Sequence, residues 1–430
     1  METIRKLVLA LMLAACGQAW GGFYDGFALY EQGDYAAALR EFRPLAEQGN
    51  AFAQLYLGVM YNNGYGVPQN YREAVNWWRQ SAEQGVSVAE FNLGVMYETG
   101  RGVPQDSWKA VKWYRMAAEQ GVANAQVNLG SMFAKGQGIS QNDREAVKWF
   151  RKAAEQGDAR AQDHLGGMYA KGRGVSQDDK EAAKWFRKAA EQGDTHAQVN
   201  LGEMYAKGHG VPQDDKEAAK WFRRAADRGD ALAQYSIGIM FDNGQGVPQD
   251  YQAAVRWYRR AADQGNALAQ YNLGGMYAKG LGVSQDDREA VKWYRKAAEQ
   301  GDALAQYNLG GMYDEGQGVP QNDGEAAKWY RRAAEQGIAN AQYNLALMYH
   351  DGLGVPLDYV QAFKWFDIAT RGGDENAASG REFVARKMTS AQVAEAQRLA
   401  REWRQKPGAQ LNQKRPASTR PRTDNETTQY

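Results

Sequence analysis

The chain has 430 residues, 24% of them charged, and its 52 Lys and Arg against 51 Asp and Glu leave a formal net charge of +1 at pH 7. That balance excludes a global field that would draw the molecule to nucleic acid or to an anionic membrane, so partners must be read from local surfaces. Length alone would suggest roughly three globular domains, an expectation that internal repetition overrides.

Residues 1–19 read as a secretory signal: Arg5 and Lys6 precede the apolar run LVLALMLAA, which is too short to span a bilayer. Two cleavage readings stay open. Leu13-Ala14-Ala15-Cys16 resembles a bacterial lipoprotein box, which makes Cys16 a lipidation candidate, whereas Gly17-Gln18-Ala19 offers small residues for ordinary cleavage before Trp20. Against the lipid anchor, little tether separates Cys16 from a first helix expected near Phe23. The expected destination is the periplasm, the cell surface or the outside. Cys16 is the one cysteine of the chain, so no disulfide can form within it and stability must come from packing. Residues 20–48, with FYDGFALYEQGDYAAALREFRPLAEQ from Phe23, read as a shortened helix pair that forms an N-terminal cap.

From residue 49 to residue 372 the chain repeats itself nine times at a shift of 36 residues without an insertion. One column holds glycine from Gly58 to Gly310 and ends in Ala346; another holds tryptophan from Trp77 to Trp365; a methionine column runs from Met60 to Met348. In the unit 301–336, Ala305, Leu309, Met312 and Tyr313 share one helix face, which defines helix A. DEGQGVP stops it. Asn322 with Glu325 three residues on has the spacing of a capping box, and helix B then carries Ala326, Trp329, Tyr330, Ala333 and Ala334 on its apolar side. All nine units have Asn or Asp at this cap, and Lys109 and Ala253 are the departures from Glu or Gln at the third position after it. Such a pair cannot bury its shared face alone, so neighbours must stack into an all-α, right-handed α-solenoid of antiparallel helix pairs. The glycine column and the paired alanines of helix B are expected where backbones approach closely, with the tryptophan column as the bulk opposite. Residues 373–404 read as two C-terminal capping helices, one near 376–387 and one from Thr389, where TSAQ forms a capping box. The tail 405–430 lacks apolar periodicity and reads as disordered.

The loop GxGVPQ(D/N), with AxAQ, LGxMY and AAxWxxxAAEQG as in AKGHGVPQDDKEAAKWFRRAADRGD at 206–230, resembles the bacterial Sel-one-like repeat family. The extra two residues over a tetratricopeptide unit of about 34 residues fall in that loop. The resemblance implies a tetratricopeptide-like solenoid whose A helices line a concave side. It also implies a non-catalytic adaptor for protein–protein contact, in bacteria often in the envelope or at a host interface.

Columns that vary between units mark positions that stacking leaves free. In helix A the first such column reads Leu55, Phe91, Val127, Asp163 and Val199, then Tyr235, Tyr271, Tyr307 and Tyr343. Beside the tyrosines stand Asn272, Asn308 and Asn344, with Asn92, Asn128 and Asn200 earlier in the chain. A row of aromatic faces and amides suits an extended peptide, because tyrosine gives contact area at low entropy cost and asparagine can pair with main chain. The same residues could equally pack between adjacent A helices. The expected partner is a protein or peptide held by this stripe, with no nucleic acid and no membrane contact beyond a lipid at Cys16.

No cofactor or metal is expected: His164, His196, His209 and His350 fall outside any HExxH or cysteine-supported pattern, and no Walker A loop, GxSxG elbow or SxxK site occurs. The enzyme alternative is a β-lactam-binding or hydrolysing activity, as described for cysteine-rich relatives in the resembled family. Those relatives staple each unit with a cysteine pair that this chain lacks. Regulation of a peptidoglycan-processing enzyme, or contact with a host cell, is the adaptor reading with a named partner class. If the periodic core carries the stability, Trp221→Ala should cost about 3–5 kcal/mol and Gly202→Leu about 1–3 kcal/mol, both read as lowered urea midpoints.

Overall fold

In the computed structural model the described residues are 21–404. The signal segment with Cys16 and the tail 405–430 lie outside them. Among the described residues there are 22 α-helices and no strand, the all-α solenoid arrangement of repeated helix pairs. Nine A helices run from Ala51–Asn63 to Ala339–Asp351, each followed by a B helix, from Tyr71–Glu83 to Tyr359–Arg371. Before them stands the pair Gly21–Gln32 and Tyr35–Glu47; after them come Glu375–Ala385 and Ser390–Arg404. The chain divides into two compact halves after Asp214.

Helix boundaries arise from local chemistry. Each A helix of the nine ends on a left-handed glycine, as at Gly280 with φ 66°, whose N–H donates to the Met276 carbonyl. Each described B-helix cap, such as Asp286, accepts from the N–H groups of the first turn, here Arg288 and Glu289 at 3.0 and 3.1 Å. The capping boxes expected at these caps are only half built. The cap N–H donates instead to the carbonyl of an aromatic residue in its own A helix, Asp286 to Tyr277 at 3.0 Å and Asn322 to Tyr313 at 2.9 Å. With that donor already satisfied, the glutamate three residues on turns along its own helix: Glu289 and Glu325 accept from Lys292 and Lys328 and from the indoles of Trp293 and Trp329. The box at Thr389 is reciprocal, Thr389 N–H to Gln392 Oε1 at 2.9 Å and Gln392 N–H to Thr389 Oγ1 at 3.3 Å.

Packing within a unit also differs from the expectation. The glycine column does not face backbone, nor does it face the tryptophan column; it seats the aromatic ring one residue after the tryptophan. A Cβ on Gly58 would lie 2.4 Å from Trp78, one on Gly274 2.8 Å from Tyr294, and one on Gly310 2.7 Å from Tyr330. The tryptophan column bridges units: Trp293 packs in a core formed by Ala254, Val255 and Tyr258 of the previous B helix with Leu273 and Met276 of its own A helix, and Trp329 in that of Val291 and Tyr294 with Leu309 and Met312. Close backbone approach occurs in the loop. A Cβ on Gly246 (φ 66°) would stand 2.1 Å from the Asp215 carbonyl oxygen, at the start of the preceding B helix.

Polar ladders join consecutive pairs. In eight units a buried glutamine donates to a carbonyl closing the previous B helix, as Gln270 to Ala262 and Gln306 to Ala298, both at 3.0 Å. Where its Oε1 is partnered, as in Gln270, it accepts from the glutamine that ends its own unit's B helix, Gln300 at 2.7 Å. Glu90 takes this place in one unit. It is 1% exposed, it accepts from Gln120 at 2.8 Å, and it has no amide hydrogen for the equivalent carbonyl, Ala82. Burial raises its carboxyl above the ordinary value of 4.5, partly offset by the Gln120 hydrogen bond.

These contacts set two expectations for stability. Gly310→Ala should lower the urea midpoint, whereas Gly311→Ala, whose Cβ would meet nothing nearer than the Tyr330 hydroxyl at 3.6 Å, should raise stability by about 0.5–1 kcal/mol. For Glu90 the folded pKa lies above the unfolded one, so its contribution is intact below the unfolded value and is lost as pH rises through the folded value. Urea midpoints taken from pH 4 to pH 8 should therefore show Glu90→Gln stabilising at neutral pH, with the gain shrinking toward pH 4.5; a gain that grew on acidification would refute the assignment.

Candidate functional site

The four tyrosines of the A-helix stripe all lie in the C-terminal half, one per consecutive unit, each half-buried. Each ring rests on the aromatic of its own B helix: Tyr235 on Tyr258 with centroids 6.1 Å apart, Tyr271 on Tyr294 at 5.8 Å, Tyr307 on Tyr330 at 5.9 Å and Tyr343 on Phe366 at 5.6 Å. One edge is thus anchored in the unit while the remainder borders solvent. Leu232 and Leu347, both exposed, and half-buried Leu268 and Leu304 extend the apolar character along the same face.

The asparagines stand beside them and tie units together. Asn272 hydrogen-bonds the Tyr258 hydroxyl of the preceding unit, Asn308 that of Tyr294 and Asn344 that of Tyr330. The same hydroxyls donate onward where an acid is in reach, Tyr258 to Asp242 at 3.1 Å and Tyr330 to Asp314 at 3.3 Å. Burial pushes the Tyr258, Tyr294 and Tyr330 phenols well above the ordinary tyrosine value, so they stay protonated donors.

A feature of this face that sequence reasoning missed is the second glycine of LGGMY. Gly275 and Gly311 have open space above them, bounded only by the hydroxyls of Tyr294 and Tyr330 at 3.5 and 3.6 Å from an added Cβ. No packing contact requires glycine there, and glycine inside a helix costs about 1 kcal/mol against alanine. The result is a notch beside Tyr271 and another beside Tyr307, each floored by a phenolic hydroxyl. The signal was present as a variable column that falls to glycine in three units.

A second cluster missed from the sequence lies in the N-terminal half, where Asp163 occupies the tyrosine column. Asp163 is 7% exposed; its Oδ2 lies 2.7 Å from His196 Nδ1 and its Oδ1 accepts from Asn200 at 3.2 Å. His164 lies tilted against Phe150, centroids 4.9 Å apart, and burial depresses its imidazole below the ordinary value, with Asp163 acting in the opposite sense. Two of the histidines that looked scattered along the chain, His164 and His196, are thus brought to a pair of neighbouring A helices, because the 33 residues between Asp163 and His196 are one repeat less about one helical turn. Among the described residues no group of three or more His, Cys, Asp or Glu could hold a metal ion, and no helix is long and apolar enough to cross a membrane.

Stacked pairs with a glycine-seated aromatic, an intervening GxG loop and a glutamine ladder define a helical repeat scaffold. The Sel1 repeat model matches residues 51–86, 87–122, 123–158, 159–194, 195–230, 231–266, 267–302, 303–338 and 339–374, and the chain belongs to the Sel1 repeat family. It is similar to a protective antigen present in uropathogenic Escherichia coli strains that displays an SLR fold, at 36% identity over 94% of each chain with a TM-score of 0.62. It is also similar to a Sel1 repeat protein from Oxalobacter formigenes, at 36% identity over 71% of this chain and 88% of that one, with a TM-score of 0.56. No curated protein matches the chain. Sel1 repeats generally mediate protein–protein contact, and proteins built from them are typically non-catalytic scaffolds.

Proposed function

We propose that this protein is an exported, non-catalytic adaptor of the bacterial cell envelope that holds a segment of a partner protein along the A-helix face of its C-terminal half. The observation that carries the reading is the coincidence of four tyrosines in consecutive register with two open glycine notches that stacking does not require. An extended segment laid across these helices would place side chains over Gly275 and Gly311, against tyrosine faces and within reach of the Tyr294 and Tyr330 hydroxyls. Export rests on the sequence of residues 1–19 and is supported by the protective-antigen character of the Escherichia coli relative. Attachment through Cys16 would place the scaffold at a membrane surface, while cleavage before Trp20 would release it.

The test is capture of partners from an envelope extract on the mature protein, beside two variants: Tyr271→Ala/Tyr307→Ala and Gly275→Leu/Gly311→Leu. The first removes the aromatic faces; the second fills the notches while leaving the core in place. Circular dichroism and urea midpoints establish that all three are folded. A protein retained by the parent and lost from both variants is the expected result, and equal retention by all three would move the binding surface off this face.

A further inference from the structure

The repeat supplies its own internal control, because a side chain partnered in most units and unpartnered in a few is a departure that stacking does not explain. On the B-helix face an arginine of each B helix usually donates to the hydroxyl of a tyrosine in the next A helix: Arg259 to Tyr277, Arg295 to Tyr313 at 2.6 Å and Arg331 to Tyr349 at 2.7 Å. Arg223 occupies the same position, but the next A helix carries Phe241 there, so the hydroxyl is missing. A second pairing joins a lysine to the glutamate three residues before it, as in Lys292 with Glu289 and Lys328 with Glu325, both at 2.9 Å. The unit after Arg223 has Arg256 in place of the lysine and Ala253 in place of the glutamate. Two departures have therefore freed two guanidiniums, and both are exposed with no hydrogen-bond or ion-pair partner among the described residues.

These guanidiniums line one open groove of about 470 Å³ between the B helices Asp215–Asp227 and Tyr251–Asp263. Its apolar surface comes from Phe241 and Trp257, and a third guanidinium, Arg260, stands over the Trp257 ring at 4.6 Å. Two acids also border it. Asp250 is committed to its helix cap, accepting from the Ala253 N–H at 2.9 Å, and Asp227 forms no ion pair among the described residues. One other unit shares the first departure but not the second: Arg115 also faces a phenylalanine, Phe133, while the next B helix keeps its Glu145 and Lys148 pair, so a single guanidinium is left without its tyrosine there.

We infer that this groove is a second docking site, on the B-helix face, for a carboxylate-bearing segment of an acidic polypeptide. Unpaired guanidiniums on two helices can grip one carboxylate from both sides, since arginine presents a planar fork of donors that lysine cannot. The phenylalanine and tryptophan accept an apolar neighbour of the acid, and the single net positive charge of the lining favours an isolated acid over a run of them. The site is separate from the tyrosine stripe and does not depend on it.

The test uses the full mature chain and fluorescence anisotropy with a labelled decapeptide alternating Glu and Leu, against the same peptide with Gln for Glu and a phosphoserine version. The parent should bind the glutamate peptide and not the glutamine one, with binding that weakens as salt rises from about 50 to about 300 mM. Two variants should each weaken it about ten-fold or more: Arg223→Gln/Arg256→Gln, and Phe241→Tyr/Ala253→Glu, which keeps every arginine but restores the partners of the other units. The Gly275→Leu/Gly311→Leu variant should bind as the parent does, which separates this site from the stripe. Equal affinity in the parent and the re-paired variant, absence of binding, preference for the phosphoserine peptide, or loss in the glycine variant would each overturn the proposal.

Discussion

At seven glycines of one column, from Gly58 to Gly310, a repeat is closed by an aromatic ring of its second helix resting on that glycine of its first. The contact leaves no room for a Cβ, whether the ring is Trp78, Tyr114, Phe150 or Tyr294. It sets how near the two helices lie, and three other features depend on that spacing. The tryptophan one residue earlier joins a core shared by the B helix of the previous unit and the A helix of its own. The GxG loop can then fold back until its second glycine meets the start of the preceding B helix. Where the seated ring is tyrosine, its hydroxyl emerges at the A-helix face, meets an asparagine of the next unit and, at Tyr258 and Tyr330, also donates to an acid of its own unit.

Between units the joints are polar as well as apolar, and they are built to one plan. Buried glutamines hand hydrogen bonds along the stack, satisfying carbonyls that the end of a helix would otherwise leave bare. Arginine donors to tyrosine hydroxyls also link consecutive pairs nearer the surface, where exposure makes each bond weak and its loss cheap. Such regularity gives meaning to exceptions. Glu90 and Asp163 bring acids into positions that other units fill with neutral side chains, while Phe241 and Ala253 remove partners.

The fold by itself does not assign a function, since the same stack could present any surface. What distinguishes this chain is the distribution of its departures from the plan. On the A-helix face of the C-terminal half they produce aromatic and notched relief suited to main chain and apolar side chains. On the B-helix face of the same half they produce unpaired positive charge. A scaffold with two chemically different faces can hold one partner by two segments, which raises its effective affinity without a large contact on either face.

The sequence by itself determined the all-α class, the number of units, the loop breaks and the helix caps, because these depend on residues near one another in the chain and recur at a fixed interval. It also placed the variable stripe, because invariance among nine copies within one chain reports what stacking demands. It misassigned the roles of the glycine and tryptophan columns and half of each repeat capping box. Those depend on which neighbouring helix a side chain meets, and the choice between a partner in the same unit and one a repeat away is made only when the helices are packed. The joining of Asp163 to His196, the asparagine links to buried tyrosine hydroxyls and the freed arginines of one groove were likewise decided by tertiary structure. Each depends on a missing or added partner in an adjacent helix, and a column read along the chain does not show which helix that is.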